Sequence, residues 1–260
     1  MTASFAADSP LTADVHASPN HGERKAGKRA DAIILHYTGM KTGAAALALL
    51  CSAASEVSCH YLVWEDGSIT QLVPEARRAW HAGRGVWAGD SDMNSRSIGI
   101  EIVNPGHPGG RGEAPMPPYP RKQIRAVTAL CADICARHAI APQRVLAHSD
   151  IAPSRKIDPG ERFPWASLAK AGVGHWVRPA PISETKGLRW GDSGNYVEHM
   201  QRLLAQYGYG ATQTGSYDAA TEIAVRAFQR HFRPARVDGM MDKSTFVTLR
   251  RLVAGLGKEK

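Results

Sequence analysis

Apolar positions fall into two kinds of run along this chain. Ala32-Ile33-Ile34-Leu35-His36-Tyr37-Thr38 is short and almost unbroken, and Thr38-Gly39 closes it. That pattern predicts a buried strand carrying a histidine to its C-terminal end. Residues 97–104 read the same way, with Glu101 set into an otherwise apolar run. Two further runs, 58–64 and 69–73, flank Glu65-Asp66-Gly67-Ser68 and predict a hairpin on an Asp-Gly turn. Elsewhere the spacing is helical. Residues 43–55 are Ala/Leu-rich, and residues 121–138 place Ile124, Val127, Leu130, Cys131, Ile134 and Cys135 on one stripe.

A composition break at Pro179-Ala180-Pro181 separates a second region. Beyond it three stripes follow: Val197, Met200, Leu203 and Leu204; Ile223, Val225, Ala227 and Phe228; Phe246, Leu249 and Leu252. Gly208, Gly210, Gly215 and Asp238-Gly239 mark the turns between them. These predict a small all-α three-helix domain that lacks a carboxylate–histidine cluster and folds separately. Residues 1–30 are rich in Ala, Ser, Asp and Lys without a period, and read as a mobile or surface-hugging arm. The expected division is an arm at 1–30, a catalytic domain at 31–178, a linker at 179–187 and the helical domain at 188–256.

Composition changes this picture only a little. The 260 residues carry a formal charge of +8, which favours an anionic partner such as a carboxylate-rich polymer. The basic residues are dispersed and not interleaved with aromatics, so nucleic acid is not expected. No stretch approaches the roughly 18 apolar residues of a membrane span. The first residues lack a charged segment followed by an apolar one, so a cytoplasmic protein is favoured, with the cell envelope as the alternative if a leader has been removed. Cys51, Cys59, Cys131 and Cys135 read as small buried apolar residues with free thiols.

The chemistry concentrates in residues 147–160, where Pro153 and Pro159 exclude a regular helix and His148, Asp150, Lys156 and Asp158 crowd together. His148 and Asp158 are good zinc ligands, and His36 at its strand end supplies a third. A His₂Asp set leaves a fourth position for water, as catalytic zinc requires. Glu101 is the candidate general base, because a partly desolvated carboxylate gains proton affinity. Lys156 is placed to stabilise an oxyanion. Asp150 is expected to orient the loop or a ligand histidine, and His60 to be a second-layer or core residue. Trp80, His81 and Asn104 are candidates for substrate binding, with Trp87 a further aromatic that sugar could stack on.

Ile34-Leu35-His36-Tyr37-Thr38, Ser58-Cys59-His60-Tyr61, Ala79-Trp80-His81-Ala82-Gly83, Ser97-Ile98-Gly99-Ile100-Glu101 and the segment from His148 to Gly160 together resemble the type-2 amidases. These are zinc-dependent N-acetylmuramoyl-L-alanine amidases, and the resemblance spans roughly residues 30–170. It implies an α/β fold, a mixed β-sheet flanked by helices. It implies Zn²⁺ on His36, His148 and Asp158, with Glu101 as acid/base and Lys156 as oxyanion partner. The expected reaction is cleavage between the muramic acid lactyl group and L-Ala in peptidoglycan or muropeptides. The tail, from Leu188-Arg189-Trp190-Gly191-Asp192-Ser193-Gly194 through Ala227-Phe228-Gln229 to Val237-Asp238-Gly239, resembles a peptidoglycan-binding domain. The alternative is a recognition module that binds wall fragments without cutting them. Against it, the three ligands, the base and the lysine are all present.

Overall fold

The short apolar runs become strands and the striped segments become helices. In chain order these are β1 (Asp14–Val15), β2 (His21–Gly22), β3 (Ala32–Tyr37), α1 (Gly43–Leu50), β4 (Tyr61–Val63), β5 (Ile69–Gln71), β6 (Arg78–Ala79), α2 (Met93–Arg96) and β7 (Ser97–Ile102). Then follow α3 (Arg121–His138), β8 (Val145–Ala147), α4 (His148–Ile151), α5 (Trp165–Lys170), α6 (Asn195–Tyr207), α7 (Ala219–Phe232) and α8 (Lys243–Gly255). This computed structural model describes residues 5–110, 115–182, 184 and 186–257. None of the described helices is long and apolar enough to cross a membrane.

Six strands form one sheet in the order β1-β5-β4-β7-β3-β8. The β4–β5 hairpin is antiparallel and the other pairings are parallel, so the sheet is mixed, as the α/β class requires. The 43–55 segment is helical only to Leu50. Beyond that, Asn20 Nδ2 donates to the carbonyls of Ser52 and Val57 and draws the chain into a separate 3₁₀ turn. The segment before β3 lies against the sheet where it is described: β1 pairs with β5, β2 with β6, and Arg24 donates to the carbonyls of Glu75, Ser95 and Ser97.

Strand side chains alternate, so β3 serves both faces of the sheet at once. Ile33 and Leu35 join Ile98, Ile100 and Ile102 of β7 in a core closed by Val127, Leu130, Cys131 and Ile134 of α3. Ala32 and Ile34 face the other way, with His36 next in phase, and β7 sends Ser97, Gly99 and Glu101 to that same side. β3 and β7 run in register with His36 opposite Glu101.

That second face is covered by the tail. Ala32, Ile34, Leu146 and Ile151 belong to one apolar cluster with Val197, Met200, Leu204, Val225, Phe228 and Leu249. The helices form as their stripes predict, and Asp218 and Asp242 cap α7 and α8 through the N–H groups of Thr221 and Thr245. Their stripes face one another, and the same apolar cluster runs on into Ala32, Ile34, Leu146 and Ile151, so the core of the tail is continuous with this face of the sheet. Trp87 belongs to this seam: it is 1% exposed and edge-on to Tyr209 at 5.0 Å between ring centres. Gly208 sits there at φ 134°, and a Cβ on it would come within 2.5 Å of the Trp87 ring. Trp87 is interdomain packing and not a sugar platform.

Candidate metal centre

β3 delivers His36 near its C-terminal end, the single turn α4 delivers His148, and the Pro-rich loop returns Asp158 to meet them. His36 Nδ1 and His148 Nδ1 are 2.9 Å apart, and Asp158 Oδ2 lies 3.1 and 3.0 Å from them. All three residues are buried. A tetrahedral ion with bonds of about 2.0–2.2 Å needs donor atoms roughly 3.3–3.6 Å apart, so this triangle is close to the right size.

The hydrogen-bond network fixes where the protons sit. His148 Nε2 lies 3.0 Å from the carbonyl of Ala82, which can only accept, so Nε2 carries a proton and the neutral ring presents its lone pair at Nδ1. For His36 the logic runs through two residues. Ser97 Oγ donates its one proton to the carbonyl of Met93 at 2.5 Å, so it can only accept from His81 Nε2 at 3.2 Å. His81 Nδ1 is then an acceptor, and it takes the proton of His36 Nε2 at 3.0 Å. His36 Nδ1 is left with a lone pair. Burial, reinforced by the neighbouring His148, lowers His36 to about 4, and burial together with His36 holds His81 well below the usual histidine range. Burial pushes Asp158 up, and the charge and hydrogen bonds that would hold it below its ordinary range come from His148 and His36 protonated toward it; in the tautomers above, those protons point away. Two lone pairs and a carboxylate therefore converge with no proton between them. That arrangement is repulsive unless a cation lies at its centre.

Glu101 stands beside the triad on β7. Its Oε2 is buried without a hydrogen-bond partner. Burial first, and the charge of Asp158 second, push its pKa well above the carboxylate range, with Lys156 pulling the other way. Glu101, Lys156, His36, His148 and Asp158 line one cleft of about 280 Å³ together with Tyr37, Leu49, Val57, Trp80 and His81. A larger groove of about 700 Å³ between α3 and α5 has no acid, histidine or cysteine in its lining, so volume alone does not mark the chemistry.

The expected substrate-binding residues divide. Trp80 lines the cleft. His81 also reaches it, but both its ring nitrogens are used behind His36, and the ring occupies the space that a Cβ on Gly99 would take, 2.4 Å from it. Asn104 does not line the cleft. Its Nδ2 donates to the Pro117 carbonyl and its Oδ1 accepts from Gly106 N–H, so it ties a loop instead. His60 supports this layer from below, with Nδ1 accepting from Gly99 N–H and its ring edge-on to His81. Ser97 was missed from sequence: a serine one position into a strand carries no local sign that it orients a histidine.

A mixed α/β sheet carrying a buried His₂Asp triad that could hold a metal ion, with a buried glutamate beside it and a helical tail, is the architecture of a hydrolase with an accessory domain. The sequence profile of the N-acetylmuramoyl-L-alanine amidase family matches residues 26–161, and that of a peptidoglycan binding domain matches residues 193–249. N-acetylmuramoyl-L-alanine amidase AmiD of Escherichia coli is 36% identical over 238 residues, 89% of this chain and 85% of that protein. The solved structure of E. coli AmiD in complex with the substrate anhydro-N-acetylmuramic acid-L-Ala-D-γ-Glu-L-Lys superposes with a TM-score of 0.77 at 35% identity, covering 90% of this chain and 93% of that one. AmpDh3 of Pseudomonas aeruginosa superposes at 0.69 with 32% identity over 91% of this chain and 94% of its own. The chain belongs to the N-acetylmuramoyl-L-alanine amidase family.

Proposed function

We propose that this chain is a zinc enzyme that hydrolyses the amide between the lactyl group of muramic acid and L-Ala in peptidoglycan fragments. One observation carries the reading: His36 Nδ1, His148 Nδ1 and Asp158 converge without a shared proton, beside a glutamate whose buried Oε2 has no protein partner. Two imidazoles and a carboxylate fit Zn²⁺. What zinc supplies when bound there is polarisation of the scissile carbonyl and a water acidified to a pKa of about 7.

The chain's own groups do the rest. Glu101 takes a proton from the attacking water and passes it to the nitrogen of L-Ala as the C–N bond breaks. Its raised proton affinity suits it to hold that proton between the two transfers. Lys156, on the wall of the same cleft, offers positive charge where the carbonyl oxygen gains negative charge. His81 and Ser97 keep His36 in the tautomer that binds. Trp80 and the exposed Leu49 and Val57 (44% and 39%) give the cleft an apolar lip for the sugar ring and for the lactyl and alanyl methyl groups.

Structures of AmiD and AmpDh3 hold anhydromuramyl peptides, so a soluble anhydromuropeptide is the substrate to offer first. The helical tail supplies affinity for the polymer, and the charge of +8 complements the carboxylates of stem peptides. The four unpaired cysteines fit a reducing compartment. The test is to incubate the zinc-loaded chain with anhydromuropeptide and with intact sacculi, with and without chelator, and weigh the products. Chelator-sensitive release of a stem peptide beginning with L-Ala is expected. Binding without cleavage would make the chain a recognition module instead.

A further inference from the structure

We propose that the C-terminal helical domain positions the metal ligands: Tyr209 and His231 fix the Asp150 carboxylate, which sets α4 and, through it, His148 and Asp158. The inference rests on the metal reading above. α4 is one turn long, too short to hold its own geometry in isolation. Its position is set from outside, and Asp150 is where that happens.

Asp150 is fully buried, and its carboxylate accepts three hydrogen bonds. Ala147 N–H donates to Oδ2 at 2.8 Å, which closes the turn at its start. The other two donors come from the tail. Tyr209 Oη donates to Oδ1 at 2.7 Å, and His231 Nδ1 to Oδ2 at 2.7 Å. A carboxylate buried this deeply must keep its donors, so Asp150 goes where they are. His231 is itself clamped, stacked on Trp165 at 3.6 Å between ring centres and against Phe232 at 3.8 Å. Within α4 two links lead from Asp150 to the metal centre. His148 lies two residues away on the same turn, and Ser149 N–H donates to the Asp158 carbonyl at 3.0 Å. Moving Asp150 therefore moves a ligand on each side of the triangle. The peptidoglycan-binding module is thus a structural part of the catalytic centre as well as an anchor.

The experiment measures zinc dissociation constants on the full chain by competition with a chromophoric chelator, beside kcat and KM on a soluble muropeptide. Tyr209→Phe keeps the ring and removes one donor, and His231→Ala removes the other. Each is expected to weaken zinc binding about 10–100-fold, the range for losing an outer partner of a metal ligand, and to lower kcat with KM unchanged. His231→Asn places an amide N–H near the former Nδ1 and is expected to recover most of the loss. Tyr207→Phe is the control. It removes a partly buried bond across the same seam, to His175 Nδ1 at 3.0 Å, without touching Asp150, and is expected to bind zinc like the wild type. Unchanged zinc affinity in both Tyr209→Phe and His231→Ala would overturn the proposal. So would an equal loss in Tyr207→Phe, which would mean that loosening the seam anywhere suffices. A wild-type chain that binds no zinc would instead overturn the metal reading beneath it.

Discussion

The two faces of the central sheet are built from the same strands and do different work. One face is apolar throughout: Ile33, Leu35, Ile98, Ile100 and Ile102 meet the stripe of α3, a helix from the same domain. The other is divided. Ala32, Ile34 and Leu146 meet helices that lie more than forty residues further along the chain, while His36 and Glu101, at the ends of the same strands, carry the chemistry. The uniform face needs only volume and hydrophobicity, and tolerates exchange among similar residues. The divided face needs particular atoms. Gly99 must lack a Cβ for His81 to fit, Ser97 must accept so that His81 can too, and Asp150 must find both its donors across the seam.

The largest break comes from removing what covers the divided face. Ending the chain at residue 182 would expose Ala32, Ile34, Trp87, Leu146 and Ile151 together, a contiguous apolar surface of the kind that drives aggregation. The expected product is insoluble, or binds a hydrophobic dye and holds zinc poorly, where a separately folding tail would have left a soluble and active catalytic domain. A truncated protein with wild-type melting behaviour and small-substrate turnover would show that the second face covers itself.

Next in size is the proton carrier. Glu101→Gln keeps the shape of the cleft and should retain zinc near wild-type stoichiometry, while the rate falls about 10²–10⁴-fold. His148→Ala should lose zinc and rate together, and elemental analysis beside a rate assay separates the two cases. Glu101 also predicts a stability effect of opposite sign. Its folded-state pKa lies well above 4.5, so its neutral form contributes stability that is present at acid pH and lost as pH rises through the folded value. In metal-free protein at neutral pH, the glutamine variant should therefore melt higher than the wild type. A lower melting temperature would mean that Glu101 is ionised and well solvated there.

These two faces also explain how far the sequence could be read. The stripe of α3 has one apolar side and one partner, and its predicted and observed limits coincide. β3 is apolar on both sides, so its run announces a strand without saying which residues meet which neighbour. β8 is three residues between a helix and the metal loop, too short to leave a pattern, and was not predicted. His36, His148, Asp158, Glu101 and Lys156 were legible because their types and spacing are unusual together, and the fold brings all five to one cleft. Trp87 and Asn104 each leave two readings open in the sequence for a physical reason. An aromatic in a Gly-rich loop looks the same whether it meets a sugar or a partner helix, and an asparagine after a strand looks the same whether it binds substrate or ties a turn.

A finer probe of the divided face is Gly99→Ala. The added methyl would sit 2.4 Å from the His81 ring, in the middle of β7 where the backbone cannot yield. His81 must tilt away, and His36 Nε2–H then loses the acceptor that fixes its tautomer. Zinc affinity should fall about 10–100-fold with the fold intact. Wild-type zinc affinity in this variant would show that His36 is held by the metal alone and that the His81–Ser97 relay is dispensable.

The smallest effect on chemistry should come from the uniform face, and it is the one that completes the contrast. Leu130→Ala empties part of the apolar core that α3 shares with Ile98, Ile100 and Ile102. The cost should be about 2–5 kcal/mol of stability, the range for a buried leucine truncated in a packed core. At temperatures where the variant stays folded, kcat and zinc affinity should match the wild type, because among the described residues the side-chain hydrogen bonds of His36, His148 and Asp158 run to His81, Ala82 and one another and not to α3. Denaturant unfolding beside the chelator assay reads both quantities on one sample. If zinc affinity fell along with stability, the sheet would be transmitting strain from one face to the other, and the two faces would have to be treated as one mechanical unit.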